Sequence, residues 1–149
     1  MPHFTLQVSS NGPILQAFVA VSQARSDALA AAGRQLPDPV SIRALVDTGA
    51  SCTCVDPSVL ITRLGLTPTG SVNVNTPSTG STPHRADQFD VALIIPAATG
   101  APALVLQTIP VVSSELLGGQ GFHALIGRDI LDRCLFVYNG AVKLFTLAF

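Results

Sequence analysis

Asp47, Thr48 and Gly49 follow the apolar run Ala44-Leu45-Val46 and form the one Asp-Thr-Gly tripeptide in the chain. A buried strand that delivers Asp47 into a sharp turn would hold its carboxylate rigidly. Thr48 offers a hydroxyl to neighbouring backbone, and Gly49 permits close backbone approach. The same three residues also suit an Asx-turn that does no more than satisfy the backbone at a strand end. The chemistry that would use such a carboxylate is an activated water held between two acids, one acting as general base and the other as general acid. This turn supplies one acid, so the second has to come from elsewhere.

The elements that would position the turn read mostly as short strands. HFTLQVSS (3–10) and ILQAFVAV (14–21) flank Asn11-Gly12-Pro13 and predict an opening hairpin. SDALAAAGRQLP (26–37) predicts a short helix capped by Ser26 and stopped at Gly33, followed by the strand VSIRALV (40–46) that runs into Asp47. Beyond the turn, Asp56-Pro57 reads as N-cap and first helical residue of a second short helix that closes on Gly65. Residues 67–85, rich in Thr, Ser, Pro and Gly, read as a hairpin with its tip near Thr79-Gly80-Ser81, or else as a plain linker. Strands resume with FDVALIIP and ALVLQTIPVV. The Gly-rich turn LLGGQGF and the short strand HALI come next, then RDILDRCLF as a helix and AVKLFTLAF as a closing strand.

One internal echo bears on the turn. RALVDTGA (43–50) and HALIGRDI (123–130) share Ala-Leu-aliphatic, then a tight turn, then a short helix. The echo predicts two equivalent strand-turn-helix units related by a pseudo-two-fold, only one of which carries the Asp-Thr-Gly turn.

ALVDTGAS together with ALIGRDIL resembles the retropepsin-type aspartic proteases, the half-size relatives of pepsin. The likeness follows the chain in order, from opening hairpin through Asp-Thr-Gly turn and flap hairpin to the Gly-Arg-Asp helix and terminal strand. It implies a mainly β, closed-barrel acid-protease fold with a flap and short helices, one lobe per chain, over a single domain at residues 1–149. It further implies that Asp47 is catalytic, that Thr48 ties two active-site loops together through its hydroxyl, and that Gly49 receives substrate main chain. The second acid would then be Asp47 of a second subunit in a homodimer, with an extended peptide or protein as substrate and no cofactor. Carboxyls held so close cannot both ionise, and the proton they retain belongs to the pair.

By the same resemblance Leu45, Cys54 and Leu125 wall the side-chain pockets, and residues 77–83, with Thr79, Gly80 and Ser81 at their centre, form the flap. Gly127 and Arg128 are structural, and Asp129 reads as a helix N-cap. Two positions depart from the family. Ala50 stands where pepsin-type turns carry a hydroxyl, which predicts activity at mildly acidic pH. Ser51 stands where retroviral forms carry a carboxylate for the arginine, so Arg128 has to take a different or neutral partner.

Composition is consistent with this reading. The 149 residues carry a net charge of -1, only 11% are charged, and 48% are apolar. No nucleic-acid footprint is visible, and so little charge on a small chain predicts apolar surface buried between subunits. No secretory signal and no membrane-length apolar run is evident, and the three cysteines have no framework spacing, so a reducing, cytoplasmic location without membrane association is expected. Cys52-x-Cys54 lacks the ligand count of a zinc site, and its thiols are candidates for inhibitory oxidation. Ser51 has no evident base, and His3, His84 and His123 stand apart, so a serine hydrolase has no support. The rival reading is a dimeric peptide-binding module that keeps the fold and groove with weak or no turnover.

Overall fold

The computed structural model describes residues 1–76 and 79–149. Its strands are β1 (His3–Gln7), β2 (Ile14–Val21), β3 (Val40–Val46), β4 (Cys54–Val55), β5 (Gly70–Val74), β6 (His84–Ile95), β7 (Leu104–Ser113), β8 (Ala124–Ile126), β9 (Leu135–Asn139) and β10 (Leu144–Ala148). Its helices are α1 (Gln23–Ala31), α2 (Leu117–Gln120), α3 (Arg128–Leu131) and a π-helix at Ser58–Arg63. Among the described residues no helix is long and apolar enough to cross a membrane.

Seven strands form one sheet in the order β2-β3-β8-β4-β7-β6-β5, and β2 also pairs with β6. That extra pairing closes six strands into a barrel and leaves β5 outside it, paired among the described residues with β6 alone. Alternation in the strand sequences drives the closure. Leu15, Ala17, Val19 and Val21 of β2 and Phe89, Val91, Leu93 and Ile95 of β6 all point inward and are buried. Each large side chain so enclosed contributes about 1.5–3 kcal/mol relative to an exposed one.

A separate three-stranded sheet, β1-β10-β9, packs against the barrel. Phe145 at its centre meets Phe4 edge-on at 6.3 Å and Phe136 at 6.1 Å.

Four elements differ from the sequence expectation. β1 and β2 are not a hairpin: Ser9 and Gly12 close a tight two-bond turn, but β1 then pairs with β10 while β2 enters the barrel. Gly12, at φ 104°, and Pro13, which lacks an N–H, redirect the chain between the two sheets. α1 begins earlier than read, because Ser22 rather than Ser26 is its cap, accepting from Arg25 N at 3.3 Å. The stretch read as a Gly-rich turn contains α2, ended by Gly121 at φ 74°. The last helix stops at Leu131, and Leu135–Phe136 already belong to β9, since Phe136 is needed against Phe145.

Candidate active site

Two parallel strands build the site. β3 and β8 pair in register, Ala44 with Ala124, Leu45 with Leu125 and Val46 with Ile126, so the two echoing stretches lie side by side residue for residue. The match continues beyond the strands. His123 N donates to Arg43 O at 2.8 Å, Arg43 N donates to His123 Nδ1 at 3.1 Å, and Asp47 N donates to Ile126 O at 3.0 Å. The last bond fixes the peptide that carries the Asp47 carboxylate.

Within the turn Gly49 N donates to Asp47 Oδ1 at 2.9 Å, and Ala50 N donates to Asp47 O at 3.2 Å. A Cβ on residue 49 would lie 3.1 Å from that carboxylate oxygen, so glycine leaves it room. This is an Asx-turn, and it is also a positioned carboxylate: Oδ1 is held, while Oδ2 accepts no hydrogen bond among the described residues. Thr48 is exposed, and among the described residues its hydroxyl has no partner.

Arg128 and Asp129 clamp the turn from the other unit. Arg128 Nη1 donates to Thr48 O at 2.9 Å and to Gly49 O at 3.3 Å, and Arg128 N donates to Ala50 O at 2.9 Å. With Ser51 in place of a carboxylate, the guanidinium is held by carbonyls of the turn itself.

Asp129 is not at the cap position, which Gly127 occupies. It accepts Ile130 N at 3.0 Å, and its larger engagement is with Thr53, from Thr53 N at 3.0 Å and Thr53 Oγ1 at 2.8 Å. Thr53 Oγ1 in turn accepts Gly127 N at 3.1 Å. Gly127 is required by contact rather than by backbone angle, because a Cβ there would lie 2.5 Å from the Cys52 carbonyl carbon.

The three pocket residues predicted from the resemblance share one row. Leu45 pairs with Leu125, and Leu125 pairs with Cys54 of β4. All three are half-buried on the face opposite the core, whereas Ala44, Val46, Val55, Ala124 and Ile126 are enclosed. Burial, then the adjacent Cys52 and the carboxylates of Asp129 and Asp47, push the Cys54 thiol up to about 12. At neutral pH Cys54 is a protonated wall residue.

β5 and β6 form the predicted hairpin, with Gly70 opposite Gln88 and Val74 opposite His84. At its tip Thr79 Oγ1 donates to Thr76 O at 2.8 Å, and Gly80 adopts φ 58°. Pro77, assigned to the flap from sequence, lies outside the described residues. Thr79, Gly80 and Ser81 share the tip, and no hydrogen bond joins them to the Asp47 turn. A cleft of about 400 Å³ lies at the hairpin, lined by Val72, Val74, Gln88 and Val112, by Asp129, and by Ser51 and Cys52, which follow the Asp47 turn in the chain. A larger open cleft of about 740 Å³ lies beside the π-helix and Gly118–Gly119 and contains none of the turn's residues.

Thr53 and Gln88 are site residues that sequence reading did not single out, whereas Cys52 was noted only for its thiol. Thr53 offers no motif of its own. The alternation Cys52-Thr53-Cys54 was the one available sign that residue 53 faces inward while its neighbours stay half-buried on the other side.

The sequence pattern of the family described as "Aspartyl protease" matches residues 35–130. No curated protein sequence matches the chain. Among solved structures, a retropepsin-like aspartic protease from Rickettsia conorii superposes with a TM-score of 0.59 at 19% identity, over 97% of this chain and 89% of that one. The protease of Simian Foamy Virus (mac) superposes more loosely, with a TM-score of 0.45 at 12% identity over 80% of this chain and 92% of its own. The match over 35–130 takes in the Asp47 turn, the hairpin and the Gly127–Arg128–Asp129 clamp, and the barrel has the retropepsin-like form: the chain belongs to the aspartyl protease family.

Proposed function

We propose that the protein is an aspartic endopeptidase whose active site is completed by a second copy of the chain, each copy contributing Asp47. The observation that carries this reading is the Asp47 carboxylate itself, held by one oxygen while the other accepts no hydrogen bond among the described residues, on a turn clamped by Arg128 and by the Ile126 carbonyl. Asp129, the other carboxylate of these loops, is engaged by Thr53 and Ile130, so it is not the missing acid. The exposed Thr48 hydroxyl is available to a partner's turn.

In the paired site one Asp47 carboxylate removes a proton from the bound water, whose oxygen attacks the peptide carbonyl carbon. The other carboxyl gives its proton to the carbonyl oxygen, forming a gem-diol. Collapse of the diol with proton transfer to nitrogen breaks the C–N bond and returns the dyad to its shared-proton state. The substrate binds as an extended strand between the hairpin and the Leu45–Leu125–Cys54 row, its main chain supplying affinity and its alternate side chains entering the cleft. Apolar lining by Val72, Val74 and Val112 supports apolar side chains next to the scissile bond.

A second copy also has a surface to meet. β9 is a free sheet edge, and the stretch 135–142 carries no charged residue, with Leu135 54%, Val137 47%, Tyr138 54% and Val142 58% exposed.

The test compares wild type with Asp47→Asn on an unstructured polypeptide, alongside light-scattering mass. Cleavage by wild type alone, from a species of twice the chain mass, is the expected result. Equal cleavage by both proteins overturns the peptidase reading, and turnover by a monomer overturns the shared site. Peptide binding without cleavage by either protein would favour the binding-module reading.

A further inference from the structure

Cys52 and Cys54 are two residues apart on the same side of the chain. The Cys54 thiol donates to the Cys52 carbonyl at 3.9 Å, and the Cys52 side chain is close enough to help push the Cys54 thiol up. Both are free and half-buried, and Cys52 lines the cleft, which gives small solutes access to the pair.

The residue between them is the most heavily tethered in the site. Thr53 has no exposed surface, binds Asp129 through both its N–H and its hydroxyl, accepts Gly127 N, and accepts Val112 N through its carbonyl at 3.0 Å. Cys52's own carbonyl packs on the Cα of Gly127 so closely that no Cβ fits. Drawing the two sulfurs together into a bond of about 2.05 Å therefore pulls on the segment that locks the two active-site loops to each other.

We propose that Cys52 and Cys54 are a dithiol switch: a peroxide closes them into an intrachain disulfide, which displaces Thr53 and unlocks the Gly127–Asp129 clamp behind Asp47. In the first step the Cys52 sulfur, as thiolate, attacks one peroxide oxygen. The O–O bond breaks, Cys52 becomes a sulfenic acid, and the departing hydroxide leaves as water with the proton that the thiol released. In the second step the Cys54 sulfur attacks the Cys52 sulfur and expels hydroxide, which leaves as water with the Cys54 proton. Two thiols and one hydrogen peroxide give one disulfide and two waters. The order follows from exposure and charge: Cys52 faces the cleft, whereas Cys54 is held protonated by burial, by Cys52 and by two carboxylates, and so serves as the resolving thiol. Because the loop it closes is short and strained, the disulfide is readily reduced.

The chemistry of the pair is independent of the peptidase reading, whereas its effect on cleavage rests on that reading. The test uses the full chain, exposed to hydrogen peroxide, alkylated, and digested with trypsin. Cleavage after Arg43 and Arg63 places both cysteines in one peptide, residues 44–63, while Cys134 falls in another. Expected is a 44–63 peptide lighter by two hydrogens and unalkylated, with Cys134 still alkylated. The Thr53 and Gly127 amides should exchange on the order of tenfold faster. Dithiothreitol should reverse both changes. Cys134→Ser should respond as wild type does, and Cys52→Ser should form no such species.

Two alkylated cysteines in 44–63, oxidation confined to one sulfur, or a disulfide with unchanged exchange at Thr53 and Gly127 would each overturn the proposal. In the activity arm, oxidation is expected to lower cleavage on the order of 100-fold, the scale of a small misplacement of reacting groups. Equal cleavage before and after oxidation would overturn the switch. If the reduced protein and Asp47→Asn are both inactive, the peptidase reading fails, and mass and exchange still decide the fate of the thiol pair.

Discussion

Thr53 has no exposed surface, and its hydroxyl serves two partners, donating to Asp129 at 2.8 Å and accepting from Gly127 N at 3.1 Å. Replacing it with valine keeps the shape but leaves a buried N–H and a carboxylate oxygen each short of a partner, at a cost of about 2–3 kcal/mol. Thr53→Val should therefore lower the urea midpoint with m unchanged and lower kcat more than it raises KM. Thr53→Ser should recover most of both, and a valine variant as stable as wild type would contradict the account. Gly127→Ala tests the opposing side of the same contact, because its Cβ would meet Cys52 backbone at 2.5 Å. About 1–3 kcal/mol of destabilisation is expected from the forced shift, read in the same denaturation experiment. Asp47, Thr48 and Gly49 could be found in the sequence because their role is local: three consecutive residues make the turn. Thr53, Gly127 and Asp129 act as a unit only after the chain returns from 74 to 76 residues away. Sequence spacing alone does not reveal that relation.

Asp56 ties together three elements, the π-helix, α2 and the edge of β8. Its Oδ1 accepts Ser58 N and Oγ at the start of the π-helix, and its Oδ2 accepts Leu116 N and Leu117 N, both at 2.9 Å, at the start of α2. Its own N–H donates to His123 O at the edge of β8. Burial alone would raise its pKa, but donors from Leu117, the Ser58 hydroxyl, Leu116 and the Ser58 amide outweigh burial and hold the carboxyl at about 2 instead of 3.8. The folded-state value is depressed, so the contribution to stability is complete above 3.8 and is lost as pH falls through about 2. At neutral pH it is about 2 kcal/mol. The stability difference between wild type and Asp56→Asn, measured by chemical denaturation, should accordingly be largest near neutral pH and shrink between pH 3.8 and about 2. A difference that grew on acidification would show the opposite linkage. The local Asp-Pro signal in the sequence makes Asp56 the cap; Pro57 holds the cap position instead, but the Asp56 carboxylate still accepts Ser58 N and Oγ at the helix start. The sequence did not identify the second pair of donors, which come from a Gly-containing stretch that looked like a turn. The same division holds across the fold. The barrel strands β2, β3, β6, β7 and β8 were readable from their alternating or continuous apolar runs. The partner of β1 was not, because Phe4 and Leu6 suit either a hairpin with β2 or the Phe145–Leu147 face of β10, and only tertiary packing chooses between them.

With 11% charged residues over 149 positions, the molecule has few groups with which to keep sheet edges apart. β9 shows the consequence: hydrogen-bonded to β10 on one side only, it presents Leu135 and Val137 on one face, next to Ala148 and Thr146, with no charge or proline along the edge. If Asp47 is half of a dyad, catalysis requires association, and below the dissociation constant the rate per millilitre varies with the square of protein concentration rather than linearly. A lysine on an exposed edge strand disfavours pairing with another chain while leaving the strand's own ladder intact. Val137→Lys is therefore expected to weaken self-association by roughly tenfold or more, the cost of losing one central apolar contact and burying a charge. It should leave the thermal unfolding of the monomer within about 0.5 kcal/mol of wild type, as an exposed substitution does. Its peptidase activity should fall in parallel at low concentration and recover as concentration is raised. Sedimentation velocity and initial rates over the same dilution series check both predictions. A variant that dissociates yet keeps full activity per chain would place the second acid within the monomer. One that stays dimeric would place the interface away from β9, with the Asp47 turn and the exposed Thr48 hydroxyl left to define the two-fold axis.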